Sequence, residues 1–198
     1  MTRARALLVD LDGTLVDTRD ANFAAYSQAL AEVGVTLDRG RWDMIADGRN
    51  WKQFLPALLN DRAIPAAAVA RRKTELYPEK LNDTHLNERL ERIIRGARKR
   101  CLTALVTSAS ADGARAVLSH HGLGSLFDIV VTGSDVDRHK PAPDAYLLAA
   151  ERLGVGPSDC LIFEDSDIGA TAAAAFGAPC RRINFGASRA IMPPQPLL

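Results

Sequence analysis

The chain has 198 residues, 47% of them hydrophobic, which is enough to bury an adequate core as one domain or as a domain carrying a sizeable insertion. Its 25 basic and 24 acidic residues nearly cancel, so there is no electrostatic reason to expect nucleic acid or an anionic membrane as partner. No stretch approaches the ~20 apolar residues of a membrane span, and the basic start at Arg3 and Arg5 leads into an apolar run that Asp10 and Asp12 interrupt, so a soluble cytoplasmic protein is expected.

In chain order, residues 5–10 read as a buried strand that breaks into a turn at Gly13. Two carboxylates, Asp10 and Asp12, stand at its end. Side chains two apart on a strand point to the same side, so both can face one reacting group while Leu11 turns into the core. From Asp17 to about Arg89 no strand pattern appears, and the segment reads as helices only. Phe23, Tyr26, Leu30 and Val33 form one stripe, capped in front by Thr18 or Asp20 and stopped by Gly34. Trp51, Phe54, Leu55, Leu58 and Leu59 form a second, with Pro56 in its first turn or at a kink. Val69, Leu76, Tyr77 and Leu81 mark a third, disturbed by Pro78.

Beyond this segment helices and strands alternate. Leu86, Leu90, Ile93, Ile94 and Ala97 keep helical spacing before a strand at 102–106. Ala114, Val117 and Leu118 mark a helix ended by Gly122, followed by a strand at 129–131. Tyr146, Leu147, Ala150 and Leu153 precede Gly154; then come a strand at 161–163, a small-residue helix at 168–176 ended by Gly177, and a last strand at 179–183. The tail at 192–196 reads as irregular. Cys101, Cys160 and Cys180 lie in or beside apolar runs and far apart, as buried, reduced thiols do. Such alternation implies a parallel sheet covered on both faces, with the active site at the carboxyl ends of its strands.

Four short stretches fall at those ends: Asp10-Leu11-Asp12-Gly13-Thr14-Leu15, Val106-Thr107-Ser108, His139-Lys140-Pro141-Ala142-Pro143 and Phe163-Glu164-Asp165-Ser166. In this order the chain resembles the haloacid dehalogenase superfamily over nearly its whole length. The resemblance implies an α/β fold: a Rossmann-like parallel-sheet core from residues 1–17 and 90–198, and an inserted α-helical cap at 18–89 that closes over the site and excludes water. It implies Mg2+ as cofactor, held by oxygen ligands from Asp10, Asp12, Glu164 and Asp165. Asp10 resembles the nucleophile that forms an aspartyl-phosphate, and Asp12 the general acid and base, with its main-chain carbonyl a further metal ligand. Asp165 resembles the main carboxylate ligand, while Glu164 either ligates directly or holds a metal-bound water. Thr107 and Ser108 stand where the family sets a hydroxyl and N–H groups against phosphoryl oxygens, with the register between them open; the same stretch is also a good helix N-cap. Lys140 resembles the family's phosphoryl-facing cation, in a loop that two prolines restrict. Gly13 resembles the glycine of the sharp turn, and Gly169 the one that lets the next helix begin close to the site.

Dehalogenating members lack the acid that Asp12 supplies, so phosphoryl transfer is the expected chemistry. Residues 11–17 and 140–169 look most like β-phosphoglucomutase and the sugar-phosphate phosphatases around it. The mutase has a histidine where Asn22 stands and an arginine clamp for a second phosphate near Trp51. Arg49 is close by but out of register, and Lys73 matches a cap lysine. Asn22, Arg49, Trp51, Lys52 and Lys73 are therefore the candidate substrate contacts, although Trp51, heading an apolar helical stripe, also reads as cap packing. With the clamp arginine out of register, the expectation is a magnesium-dependent phosphatase acting on a small phosphorylated metabolite such as a sugar or polyol phosphate, as a monomer or weak dimer. The alternatives are a phosphosugar mutase and a noncatalytic phosphate-binding or signalling protein. Response-regulator receivers share the chemistry, but they place the acidic pair and phosphoacceptor on different strands and have no room for a cap.

Overall fold

The computed structural model describes residues 4–46, 48–60 and 62–185, so the tail at 192–196 lies outside the described residues. The strands in chain order are β1 (Ala6–Val9), β2 (Val16–Asp17), β3 (His85–Leu86), β4 (Leu102–Val106), β5 (Ile129–Val131), β6 (Cys160–Glu164) and β7 (Cys180–Arg182). The α-helices are α1 (Arg19–Ala31), α2 (Arg39–Ile45), α3 (Trp51–Leu59), α4 (Ala66–Leu76), α5 (Glu88–Ala97), α6 (Ala111–His120), α7 (Asp144–Leu153) and α8 (Asp167–Phe176).

Five strands pair in parallel in the order β5-β4-β1-β6-β7. Period-two alternation sends Leu7, Val9, Leu105 and Phe163 to one face, where they meet Leu90, Ile94 and Val117 of α5 and α6. Ala6, Leu8, Ala104, Val106 and Ile162 go to the other, against Tyr146, Ala149, Ala172 and Phe176 of α7 and α8. Both faces are covered, which is why these strands read as unbroken apolar runs. Each fully buried leucine here contributes ~1.5–3 kcal/mol. β1 is central, with Val9 in register with Leu105 on one side and Phe163 on the other. Residues just past β1, β4 and β6 therefore emerge together, at the point where the strand order reverses and a parallel sheet opens a crevice.

The insertion has its own apolar cluster, in which Tyr26, Leu30, Trp42, Phe54, Leu55, Leu58, Val69 and Leu76 are buried together. Trp42 packs edge-on to Phe54 with ring centroids 5.5 Å apart. Two local expectations are corrected here. The segment is not purely helical: β2 and β3 form a short antiparallel ribbon at its base, Val16 opposite Leu86, and two residues per strand are too few to show a period. α2 was not expected, because Trp42 is its one buried side chain; it begins at Asp38, whose side chain accepts from Arg41 N at 2.9 Å. Pro56 lies inside α3, past its first turn. After α4 a 3-10 segment, Tyr77–Asp83, begins with Pro78 near its start, where a proline without an N–H costs nothing.

None of the three cysteines is paired; Cys160 is buried, whereas Cys101 and Cys180 are only half-buried. No helix among the described residues is long and apolar enough to cross a membrane.

Candidate active site

Asp10 follows β1 directly, Thr107 follows β4, and Glu164 and Asp165 end and follow β6, so sheet register alone gathers the carboxylates. Lys140 arrives from the loop between β5 and α7, its peptide bond to Pro141 cis. Its side chain is 3% exposed, and its ammonium donates to Asp10 Oδ1 at 2.8 Å, Val106 O at 3.0 Å and Glu164 Oε1 at 2.5 Å. The Tyr146 hydroxyl donates to the same Glu164 Oε1 at 2.5 Å. Burial alone would lower the lysine, but Asp10 and Glu164 outweigh it and hold Lys140 charged, well above the usual lysine range.

Burial, reinforced by the negative Glu164 and opposed by Lys140, holds the Asp10 carboxyl well above its ordinary range. Asp10, Glu164 and Asp165 each offer an oxygen, and these lie within 4.8 Å of one another. Three convergent, hard carboxylate oxygens with unbalanced negative charge are the donor set of an oxygen-loving divalent cation, so the residues present fit one.

Asp12 takes part in a different network. Its Oδ1 accepts from Thr18 Oγ1 at 2.5 Å and Asn22 Nδ2 at 3.2 Å, and its Oδ2 accepts from Thr107 Oγ1 at 3.2 Å. The expected cap of α1 by the Thr18 side chain is therefore not made; its hydroxyl is spent on Asp12. Just past the two acids the chain turns at Gly13, φ +82°, where a Cβ would lie 2.0 Å from Asp165 Oδ2. Only glycine fits there, on both counts. Thr14 Oγ1 donates to Asp165 Oδ1 at 3.2 Å, and Arg182 donates to Asp165 O, holding the loop after β6. Ser166 and Ser110 cap α8 and α6, accepting from Gly169 N at 3.0 Å and Gly113 N at 3.2 Å.

A cavity of about 480 Å3 lies between the sheet end and the insertion. Asp10, Asp12, Thr107, Ser108, Lys140 and Asp165 line its floor, and Asn22, Arg49, Trp51 and Lys73 line it from the insertion. Tyr26, Trp42, Phe54 and Tyr77 add an aromatic wall. Lys52 is not among its lining residues; it is exposed, with its ammonium 6.0 Å from the Trp51 ring centroid. Arg49 spends its guanidinium on its own neighbourhood, donating to Met44 O at 3.3 Å and Ile45 O at 2.9 Å at the end of α2. Lys73 is buried 3.5 Å from the Tyr77 ring centroid, and burial, opposed by the negative Asp12, lowers it to about 8. Sequence reasoning missed Tyr146, read only as part of an apolar stripe, and Asn50 and Gln53. The latter pair carried a signal: an Asn three residues ahead of a Gln before an apolar run is a capping-box spacing.

A carboxylate cluster and a buried lysine at the switch point of a parallel sheet, facing a cavity beneath a helical segment, define a hydrolase of Rossmann-like α/β fold. The chain belongs to the haloacid dehalogenase-like hydrolases, whose family model matches residues 4–177. It is 35% identical over 176 residues to fructose-1-phosphate phosphatase YqaB of Escherichia coli strain K12, covering 88% of this chain and 94% of that one. It is 33% identical over 181 residues to a phosphorylated carbohydrates phosphatase of Thermotoga maritima, covering 87% and 81%. Among solved structures it superposes on CbbY from Rhodobacter sphaeroides in complex with phosphate, TM-score 0.83 at 28% identity, covering 89% of this chain and 84% of that one.

Proposed function

We propose that this protein is a magnesium-dependent phosphatase that hydrolyses a small phosphorylated metabolite, a sugar or polyol phosphate, through an aspartyl-phosphate on Asp10. The observation that carries this reading is the buried Lys140 bonded to Asp10 Oδ1 at 2.8 Å, on the floor of a cavity that Asp12 shares. An Asp10 carboxylate oxygen attacks phosphorus and the ester P–O bond breaks, while Asp12 gives its proton to the departing alkoxide. Asp12, now ionised, takes a proton from the water that attacks the aspartyl-phosphate, and inorganic phosphate leaves with the Asp10 carboxylate restored. Lys140 offsets negative charge at Asp10 throughout, and Thr107 and Asn22 hold the Asp12 carboxylate in place. Asp10, Asp165, the Asp12 main-chain carbonyl and Glu164, directly or through water, would hold Mg2+, which supplies charge neutralisation of the nucleophile and the phosphoryl oxygens.

Residues 18–89 act in this reading as the cap that excludes water and meets the organic part of the substrate, through Asn22, Trp51 and Lys73. The substrate class rests on the relatives, which are named for fructose 1-phosphate and phosphorylated carbohydrates. Hydrolysis is favoured over a mutase because Arg49 is committed to the carbonyls of α2 and does not stand free as a clamp for a second phosphate. The test is phosphate release across sugar phosphates, polyol phosphates, phosphoglycolate and nucleotides. Release that requires both magnesium and Asp10, and is lost in Asp10→Asn, is expected. Conversion of glucose 1-phosphate to glucose 6-phosphate in the presence of the bisphosphate would overturn the hydrolase reading.

A further inference from the structure

Asn50 and Gln53 open α3 with a reciprocal capping box. Asn50 Oδ1 accepts from Lys52 N at 3.1 Å, and Gln53 Oε1 accepts from Asn50 N at 2.8 Å. Each amide has an oxygen and an NH2 group, and the helix uses only the oxygens. Both NH2 groups point out of the insertion into the core. Asn50 Nδ2 donates to Ser108 O at 2.7 Å, and Gln53 Nε2 donates to Lys140 O at 3.1 Å. The helix thereby fixes the amide orientation, because a flipped amide would aim a donor at the helix N–H groups and an oxygen at a carbonyl.

The receiving side is shaped for these contacts. Asn50 is 3% exposed. A Cβ on Gly133 would lie 2.4 Å from Ser108 O and 2.7 Å from Asn50 Nδ2, so the core carries no side chain where the contact passes. Just before the box, Gly48 O accepts from Ser108 Oγ at 3.4 Å, and a Cβ on Gly48 would meet Ser166 Oγ at 2.7 Å. One short segment of the insertion therefore touches the loops of Ser108, Lys140 and Ser166, three of the four motif-bearing loops.

We infer that Asn50 and Gln53 are a latch: positioning residues whose amide oxygens cap α3 and whose amide nitrogens tie the closed cap to the Ser108 and Lys140 loops. Residues that touch no substrate thus couple cap seating to the placement of the phosphoryl-binding loop and of the lysine. The inference rests on the reading of residues 18–89 as a cap over a phosphatase site. The two carbonyls are core acceptors satisfied by the insertion, so opening exchanges both bonds for water.

Carboxylate variants separate latch from helix cap. Asn50→Asp and Gln53→Glu keep the oxygen each capping position needs and place a second oxygen where the donor stood, facing a carbonyl. In the full-length protein each should hold Tm within about 3 °C. Hydrogen–deuterium exchange at 106–110, 139–143 and the first turn of α3 should quicken, and kcat/KM for fructose 1-phosphate should fall about tenfold. Asn50→Ala, which loses cap and donor together, should lose more Tm but no more kcat/KM than Asn50→Asp. A merely structural role predicts the opposite order, with Asn50→Asp behaving as wild type and only Asn50→Ala impaired, and that result, or unchanged exchange in both carboxylate variants, overturns the latch. Should the wild-type protein release phosphate from no substrate, the phosphatase reading fails, while the exchange comparison still decides the latch.

Discussion

Glu164 is held by two donors at one oxygen, the Lys140 ammonium and the Tyr146 phenol, and its carboxylate is crowded by Gly169, where a Cβ would come within 2.0 Å of Oε2. A buried carboxylate this constrained cannot swing to follow a ligand; it presents one fixed orientation to whatever the cluster binds. Tyr146 is fully buried, and it has no part in the proposed proton transfers. Tyr146→Phe keeps the ring packed against Phe176 and removes only the hydroxyl. The expected loss is about 1–3 kcal/mol of stability by urea denaturation, the range for deleting one donor to a buried charged group. A variant as stable as wild type would mean that Lys140 alone satisfies Glu164. None of this was legible beforehand, because Tyr146 sits at helical spacing among apolar residues, and periodicity does not reveal that a phenol's far end reaches a carboxylate.

The insertion is the element on which the cavity's roof depends, and its helices are short enough that packing rather than propensity must hold them. Leu55 and Leu58 of α3 lie at the centre of its apolar cluster, Leu55 wholly inaccessible. Leu55→Ala should cost about 2–5 kcal/mol, seen as a lower urea midpoint. An unchanged midpoint would show that the cluster contributes nothing to global unfolding. The stripes of α1, α3 and α4 were readable because each presents several large apolar residues at three- and four-residue spacing. α2 and the β2–β3 ribbon were not. A helix that buries one tryptophan and strands of two residues leave no period, and both exist because neighbours distant in sequence supply the other half of the contact.

At the scale of the whole molecule, the cavity between core and insertion sets an electrostatic cost. Burial lowers the Lys73 ammonium to about 8, against its ordinary value of 10.5, with Asp12 opposing. Between these two values the unfolded chain binds more protons at this lysine than the native one, so this group's contribution to stability rises with pH across that window. Below about pH 8 both states are charged and the burial cost is felt in full. Wild type measured against Lys73→Met should therefore gain stability between about pH 8 and about pH 10.5 and show a constant difference below it. A difference flat across the whole range would sink the assignment.

By itself the sequence determined the α/β alternation, the four strand-end motifs and the pairing of acids at Asp10 and Asp12, because local period and local spacing carry that information. Asp10, Asp12, Thr107, Ser108, Lys140 and Asp165 could all be nominated from it, and they share one cavity floor. The tertiary structure alone decided that Arg49 turns back to α2, that Lys52 stays outside, and that Thr18 serves Asp12 rather than α1. It also decided that Asn50 and Gln53 reach across to Ser108 and Lys140. In each case the choice rests on which partner lies within hydrogen-bond reach once the insertion is seated on the sheet, a distance that no local pattern in the chain encodes.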